Sequence, residues 1–296
     1  MSLQNITVAG SGVLGYQIAF QAAFHGYNVT VYDVSNEIIV RAKDKFGIMS
    51  EHFKNDLDAT PEQLQSTWNR LSYQSDLGKA VENADLIIES VPENPKIKIE
   101  FYTKLAEVLP EKTIIATNSS TLLPSQFAEY TGRPEMFAAL HFANEIWKHN
   151  TAEVMGHATT SKETFDTICD FAKSIGMVVL PLHKEQPGYI LNSLLVPLLG
   201  AATDLLVREV ADVETIDKTW MVATGAPVGP FGILDVVGIT TAYNINKMAA
   251  AKDPSKELTV KYLEDHFIKN NKLGVSTGEG FYKYPNPKYL EEDFLK

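Results

Sequence analysis

Asn5-Ile6-Thr7-Val8-Ala9-Gly10-Ser11-Gly12-Val13-Leu14-Gly15 begins as a short apolar strand, Ile6–Ala9, turns through three spaced glycines, and leads into the helical run Ile18–His25. In that order each glycine has its own reason. Gly10 allows the tight turn, Gly12 lets backbone approach a pyrophosphate, and Gly15 lets the helix pack on the strand. The N–H groups around Val13 and Leu14 then face a bound phosphate at the positive end of the helix. Working outward, a second strand candidate, Asn28–Tyr32, ends at Asp33. That is about 20 residues on, where a carboxylate accepts hydrogen bonds from both ribose hydroxyls. A ligand-free glycine turn is the competing reading, and Asp33 weighs against it. The charge of Asp33 would repel the 2′-phosphate of NADP, and Val34-Ser35-Asn36 offers no Arg to hold it. The expected cofactor is NAD(H).

Beyond this unit, short apolar runs alternate with helical patterns. The further strand candidates are Leu86–Glu89, Thr113–Thr117, Phe137–His141 and Met177–Leu180, with amphipathic segments such as Ile97–Leu109 between them. Such alternation is the mark of βαβ units on a parallel sheet. From Pro187 onward it stops, and helix-like segments follow at Ile190–Val207, Asp212–Ala223 and Ser255–Asn270, separated by turns rich in Gly and Pro. The predicted architecture is α/β: a Rossmann-type dinucleotide-binding domain over residues 1–186, then an all-α domain over 187–296.

Composition narrows the partners. With 296 residues, 26 Lys+Arg and 37 Asp+Glu, the formal charge is 26 − 37 = −11. No basic field is offered to nucleic acid or to an anionic membrane. A polyanionic small ligand would need a local positive site. The single cysteine, Cys169, excludes an internal disulfide and supplies no paired-cysteine metal signature; no metal site is expected. The N-terminus shows no signal-peptide pattern, and a cytoplasmic protein is the expectation. The most apolar stretch, Tyr189–Leu206, is interrupted by Asn192, Ser193, Pro197 and Asp204. It reads as a buried helix and not as a membrane span.

A nicotinamide enzyme acting on alcohols or ketones needs a proton donor and acceptor near the carbonyl oxygen, and His serves near neutral pH. Of the seven histidines, His141 ends a strand candidate on the carboxyl edge of the sheet, where ligands collect. A structural histidine would fit the same position.

In order along the chain, GSGVLG with Asp33, DLIIESVPENPKIKIEF, ATNSSTLLPS, ALHFANEIWKHNTAEVM, PGYILNSLLVPLL, GAPVGPFGILDVVG and KLGVSTGEGFYKY resemble the L-3-hydroxyacyl-CoA dehydrogenase family over essentially the whole length. Within it, HFAN followed by NTAEVM and the unbroken NSSTLLPS are similar to the diketoreductase type. The resemblance implies that His141 is the catalytic base and acid, that Glu153 is its carboxylate partner, and that Ser120 and Asn192 donate to the substrate oxygen. By itself Glu153 could equally be a solvent-facing residue. The resemblance further implies cofactor contacts from Glu93, Lys98, Ser120 and Asn144. For Lys98, flanked by Lys96 and Lys104, a solvated charged face competes. It also implies a homodimer built through the helical half, and a small 3-oxo or 3-hydroxy substrate lying between the domains.

Two departures bear on that substrate. After the catalytic histidine the family has HFFNP and a short apolar loop, whereas this chain has His141-Phe142-Ala143-Asn144-Glu145 and then Trp147, Lys148, His149 and Asn150. A Ser and a Lys that contact CoA in the family fall, by ungapped counting from Asp33, on Met49 and Asp56, with His52 and Lys54 nearby. Both departures favour a free keto ester or diketo acid over an acyl-CoA. The alternative of another class is a structural NAD-binding protein of the lambda-crystallin kind.

Overall fold

The computed structural model describes residues 3–296. Among these, eight strands form one sheet: β1 (Asn5–Ala9), β2 (Asn28–Tyr32), β3 (Leu71–Gln74), β4 (Leu86–Glu89), β5 (Ile114–Thr117), β6 (Phe137–Phe142), β7 (Thr151–Met155) and β8 (Val178–Leu182). Their order is β3-β2-β1-β4-β5-β6-β7-β8. Neighbours run parallel except β6 and β7, which pair antiparallel. The chain winds outward from β1 in both directions, so a crevice opens between the carboxyl ends of β1 and β4, where an open α/β sheet binds ligands.

The helices are α1 (Val13–Phe24), α2 (Asn36–Leu57), α3 (Pro61–Asn69), α4 (Leu77–Val81), α5 (Pro95–Val108), α6 (Lys162–Ser174), α7 (Tyr189–Val207), α8 (Val213–Thr224), α9 (Pro230–Val237), α10 (Ile239–Ala250) and α11 (Glu257–His266). Several start where local chemistry dictates. Thr60 and Gln63 form a reciprocal capping box ahead of Pro61, and Asn94 caps α5 ahead of Pro95. Strand alternation divides the core between the two faces of the sheet. Leu86 and Ile88 of β4 join one apolar cluster with Phe20, Phe46 and Phe53, while Ile87 joins the other with Phe101, Tyr102 and Phe137.

By compactness the chain divides between Ile190 and Leu191. The second unit has its own core around Phe231, Leu234, Leu263 and Phe267. Within it Asp217 accepts from the N–H groups of Phe231 and Gly232 at 2.9 and 3.1 Å and from the Tyr282 hydroxyl at 2.9 Å. Asp235 holds the N–H groups of Phe281 and Tyr282, both at 2.8 Å. The two Gly- and Pro-rich turns are thus fastened by buried carboxylates.

Four expectations need correction. Strands β3 and β7 were not expected: Leu71-Ser72-Tyr73-Gln74 is a half-polar edge strand, and β7 carries Glu153 at its centre. The segment Ser255–Asn270 is broken into a 3-10 turn, α11 and a second 3-10 turn. Lys98 is not on a solvated face, because α5 buries Lys98, Phe101, Tyr102 and Leu105 together and leaves Lys96 and Lys104 outward. Finally, α7 is not a buried helix. It is long and apolar enough to cross a membrane by length and composition, with mean hydropathy 1.8, yet only 17% of its apolar window is buried in the chain.

Candidate active site

The glycine turn lies at the head of the β1–β4 crevice. Gly10 has φ +100°, and a Cβ there would meet the Ser90 carbonyl oxygen at 2.4 Å; a Cβ on Gly15 would meet the Gly10 carbonyl oxygen at 1.8 Å. Both positions exclude a side chain. Gly12 differs, since a Cβ there would meet no atom within 4 Å. That open space lies at the start of α1, whose cap residue Gly12 has no side chain to satisfy the first-turn N–H groups. The N–H groups of Val13, Leu14 and Gly15, in the first turn, are donors with no intrahelical partner. A pyrophosphate fits these residues by shape and by charge.

Asp33 follows β2 as expected. Its Oδ2 accepts from the Ser11 N–H at 2.8 Å and from the Ser11 hydroxyl at 2.6 Å, and its Oδ1 accepts from the Val34 N–H at 2.8 Å. These bonds fix the carboxylate beside the glycine turn.

At the end of β4, buried Glu89 gathers the Lys98 ammonium at 2.6 Å, the Tyr102 hydroxyl at 2.6 Å, the Thr117 hydroxyl at 2.7 Å and the Val91 N–H at 2.8 Å. The ion pair is fully enclosed, with Lys98 1% exposed, and it persists because the carboxylate's remaining lone pairs are satisfied. Glu93 continues the network. Its Oε1 accepts from the Ser119 hydroxyl at 2.7 Å and from the N–H groups of Ser120 and Thr121 at 3.1 and 2.9 Å, while Oε2 lies 3.5 Å from Lys98. Burial acts to raise its pKa. The Ser119 hydroxyl, the Lys98 charge and Thr121 outweigh that and hold the carboxyl below the usual carboxylate range. Loop 119–122, with Ser120 half-buried in it, is therefore tied to Glu93.

His141 and Glu153 are opposite each other in the antiparallel β6–β7 register. Their side chains share one face of the sheet, and His141 Nδ1 lies 3.0 Å from Glu153 Oε2, both side chains at most 5% exposed. The solvent-facing reading of Glu153 is overturned. Its other oxygen, Oε1, accepts from the Ile190 N–H at 2.9 Å, at the start of α7, where a carboxylate is favoured by the helix dipole. Facing an acceptor, Nδ1 carries the proton, which leaves Nε2 as the nitrogen free to exchange one.

One residue at this site was not foreseen. The Tyr189 ring stacks on the imidazole of His141 with centroids 4.4 Å apart and planes 14° apart, and its hydroxyl donates to the Ser119 carbonyl at 2.8 Å. Burial, and the nearby Glu93 and Glu153 carboxylates, push its phenol well above the ordinary range, so it stays protonated. Its only signal in the sequence was the preceding Gly188. Asn144 accepts from the Gln17 amide at 2.8 Å in the loop after β6. Asn192 is half-buried on α7 in the second unit.

The loop that departs from the family pattern is braced onto α2. The Trp147 indole N–H donates to Asp56 Oδ2 at 2.8 Å, Lys148 Nζ lies 3.1 Å from the same oxygen, and His52 stacks on Trp147 at 5.0 Å. The Trp147 and Lys148 hydrogen bonds hold the Asp56 carboxyl below its usual range. Met49, the other position counted from Asp33, is fully buried in the core. No group of three or more metal-ligating side chains is present among the described residues.

Residues 5–186 match the NAD binding domain of 3-hydroxyacyl-CoA dehydrogenase, and residues 188–284 match its C-terminal domain. The mitochondrial hydroxyacyl-coenzyme A dehydrogenase of Rattus norvegicus is 36% identical over 290 residues, covering 95% of this chain and 91% of the relative. A probable 3-hydroxybutyryl-CoA dehydrogenase of Bacillus subtilis is 30% identical over 288 residues, covering 96% and 98%. A solved diketoreductase, described as performing substrate-directed dual catalysis of dicarbonyl compounds, superposes with a TM-score of 0.92 at 50% identity, covering 96% of this chain and all of that one. With its NAD-binding domain and CH–OH oxidoreductase relatives, the chain belongs to the 3-hydroxyacyl-CoA dehydrogenase family.

Proposed function

We propose that the protein interconverts 3-hydroxy and 3-oxo compounds that do not carry CoA, with 3-oxo esters and 3,5-dicarbonyl acids or esters as the substrate class. NAD(H), when bound, supplies or accepts the hydride. His141 gives a proton to the carbonyl oxygen in reduction and takes it back in oxidation. Glu153 holds the imidazole in the Nδ1–H form and stabilises it when doubly protonated. Ser120 and Asn192 donate to the substrate oxygen. Gly10, Gly12, Val13, Leu14, Gly15 and Asp33 hold the dinucleotide, with Glu93 and Asn144 on its nicotinamide side and buried Lys98 acting there through Glu93. Residues 1–186 form the cofactor domain and 187–296 the substrate and dimer domain.

The observation that carries this reading is the enclosed His141–Glu153 pair. A purely structural NAD-binding protein has no need of a buried, oriented imidazole. The preference for a CoA-free substrate rests on α2. Where the family offers a Ser and a Lys, this chain has core-buried Met49 and an Asp56 carboxylate engaged by Trp147 and Lys148, and a carboxylate repels a phosphate. NADH oxidation with a 3,5-dioxo ester and, separately, with acetoacetyl-CoA tests both parts. Higher kcat/KM on the ester is expected. A strong preference for the acyl-CoA would reject the CoA-free substrate, and turnover of neither despite NADH binding would reject the enzymatic reading.

A homodimer belongs to the same proposal. Leu194, Val222 and Met248 of the helical unit are 70%, 65% and 76% exposed, apolar area that a second copy would cover. Sedimentation across a concentration range is expected to show dimers. A cytoplasmic setting agrees with the lone Cys169, whose thiol is raised to about 11 by burial and by the Asp166 and Asp170 charges and is therefore unreactive.

A further inference from the structure

We infer that Tyr189 is a positioning residue for the proton-transfer pair, an inference that rests on the function proposed for His141. Three observations meet at it. Its ring lies flat against the imidazole at 4.4 Å, so the plane of His141 is fixed from one face while Glu153 fixes its edge at Nδ1. The Tyr189 hydroxyl holds the Ser119 carbonyl, one residue before Ser120, so the same side chain links the imidazole to the loop that bears the proposed oxygen donor. The next N–H, that of Ile190, is the one Glu153 Oε1 accepts.

The backbone adopts an uncommon conformation to bring this about. Tyr189 has φ +55°, in the left-handed region that bulky side chains avoid, and follows Gly188 at +81°. Without this left-handed pair the first turn of α7 would neither direct its N–H to Glu153 nor lay the ring on His141. With the phenol 1% exposed and strongly held in its protonated form, Tyr189 does not itself exchange a proton. It restricts the orientation of the residue that does.

The experiment compares wild type, Tyr189→Phe and Tyr189→Leu by steady-state kinetics with NADH and a 3,5-dioxo ester, and by the proton spectrum of His141, assigned with His141→Gln. Tyr189→Phe keeps the ring: the ring-current shift of His141 is expected to persist and kcat to stay within about ten-fold of wild type. Tyr189→Leu is expected to lose that shift and to lower kcat by about a hundred-fold, as small misplacements of a reacting group do. KM for NADH should change much less than kcat in both, since neither touches the glycine turn or Asp33. If the Leu variant does not fold, Tyr189→Met replaces it, filling the space without a ring. A Leu or Met variant with wild-type kcat, or with the wild-type His141 signal, would overturn the inference. Should the wild type turn over no ketone, the functional reading fails by itself and the His141 signal still decides: a ring-shifted signal lost in Tyr189→Leu supports the positioning, and an unshifted wild-type signal refutes it.

Discussion

Replacing Glu153 by Gln changes one atom of the site, and its effect can be worked from the geometry. One carboxylate oxygen accepts from His141 Nδ1–H at 3.0 Å and the other from the Ile190 N–H at 2.9 Å. A Gln has a single acceptor oxygen. If it serves Ile190, the amide N–H₂ faces Nδ1 and forces the imidazole into the Nε2–H form, which cannot take a proton from an alcohol. If it serves His141, the N–H₂ confronts the Ile190 N–H, and a buried donor is left unsatisfied. Either way the charge that stabilises the doubly protonated imidazole is gone, within a pair at most 5% exposed. General acid–base catalysis contributes about 10²–10⁴-fold, or about 2.7–5.4 kcal/mol at about 1.36 kcal/mol per decade. Glu153→Gln is therefore expected to lower kcat by that factor in both directions, with the oxidation of a 3-hydroxy ester hit hardest and KM for NADH unchanged. Following NADH absorbance with both substrates provides the assay. A variant within about three-fold of wild type in both directions would refute the proton-transfer role, because no tautomer of a Gln-paired histidine satisfies all of these demands.

Three further outcomes are expected. Asp33→Ala should raise KM for NADH and narrow the preference over NADPH; a wild type that works better with NADPH would contradict the reading of Asp33. Lys98→Met strands the buried Glu89 carboxylate and should destabilise the protein by about 3–5 kcal/mol, whereas Lys98→Met combined with Glu89→Gln should recover most of it; denaturant midpoints distinguish the two, and a neutral single variant would show the pair to be dispensable. Glu93 has a folded-state pKa below its unfolded value, so its contribution is fully present above the unfolded pKa of about 4.3 and is lost as pH falls through the lower folded value. Acid titration of stability should show this loss below that pH in wild type and not in Glu93→Gln.

What the chain declares locally is legible in its sequence. The turn at Gly10 and the close approach at Gly15 can only be met by glycine, and Asp33 sits at the end of an apolar strand, so cofactor and fold class were legible from some thirty residues. His141 was legible as a strand-end histidine but not, without the family resemblance, as a catalytic one. The role of Glu153 depends on antiparallel register between β6 and β7, and a spacing of 12 residues does not disclose that two strands pair. For Lys98 the sequence carries a signal of burial: residues 98, 101, 102 and 105 fall on one helical face, and three of the four are apolar. Tyr189 reads as one more apolar residue at a helix start. The bond from Trp147 to Asp56 spans 91 positions and leaves no local trace at all. That α7 is only partly buried is not legible either, because composition cannot say which molecule covers an apolar helix.

The central claim, NAD-linked hydride transfer to the 3-position of a CoA-free ketone with His141 handling the proton, is tested most directly by following a label. NADH carrying deuterium at C4 is incubated with a 3,5-dioxo ester, the enzyme and, in parallel, His141→Ala. Deuterium at C3 of the product is expected with wild type, at a rate at least about a hundred-fold above the variant. Label absent from C3, or equal rates from the two proteins, would contradict the account.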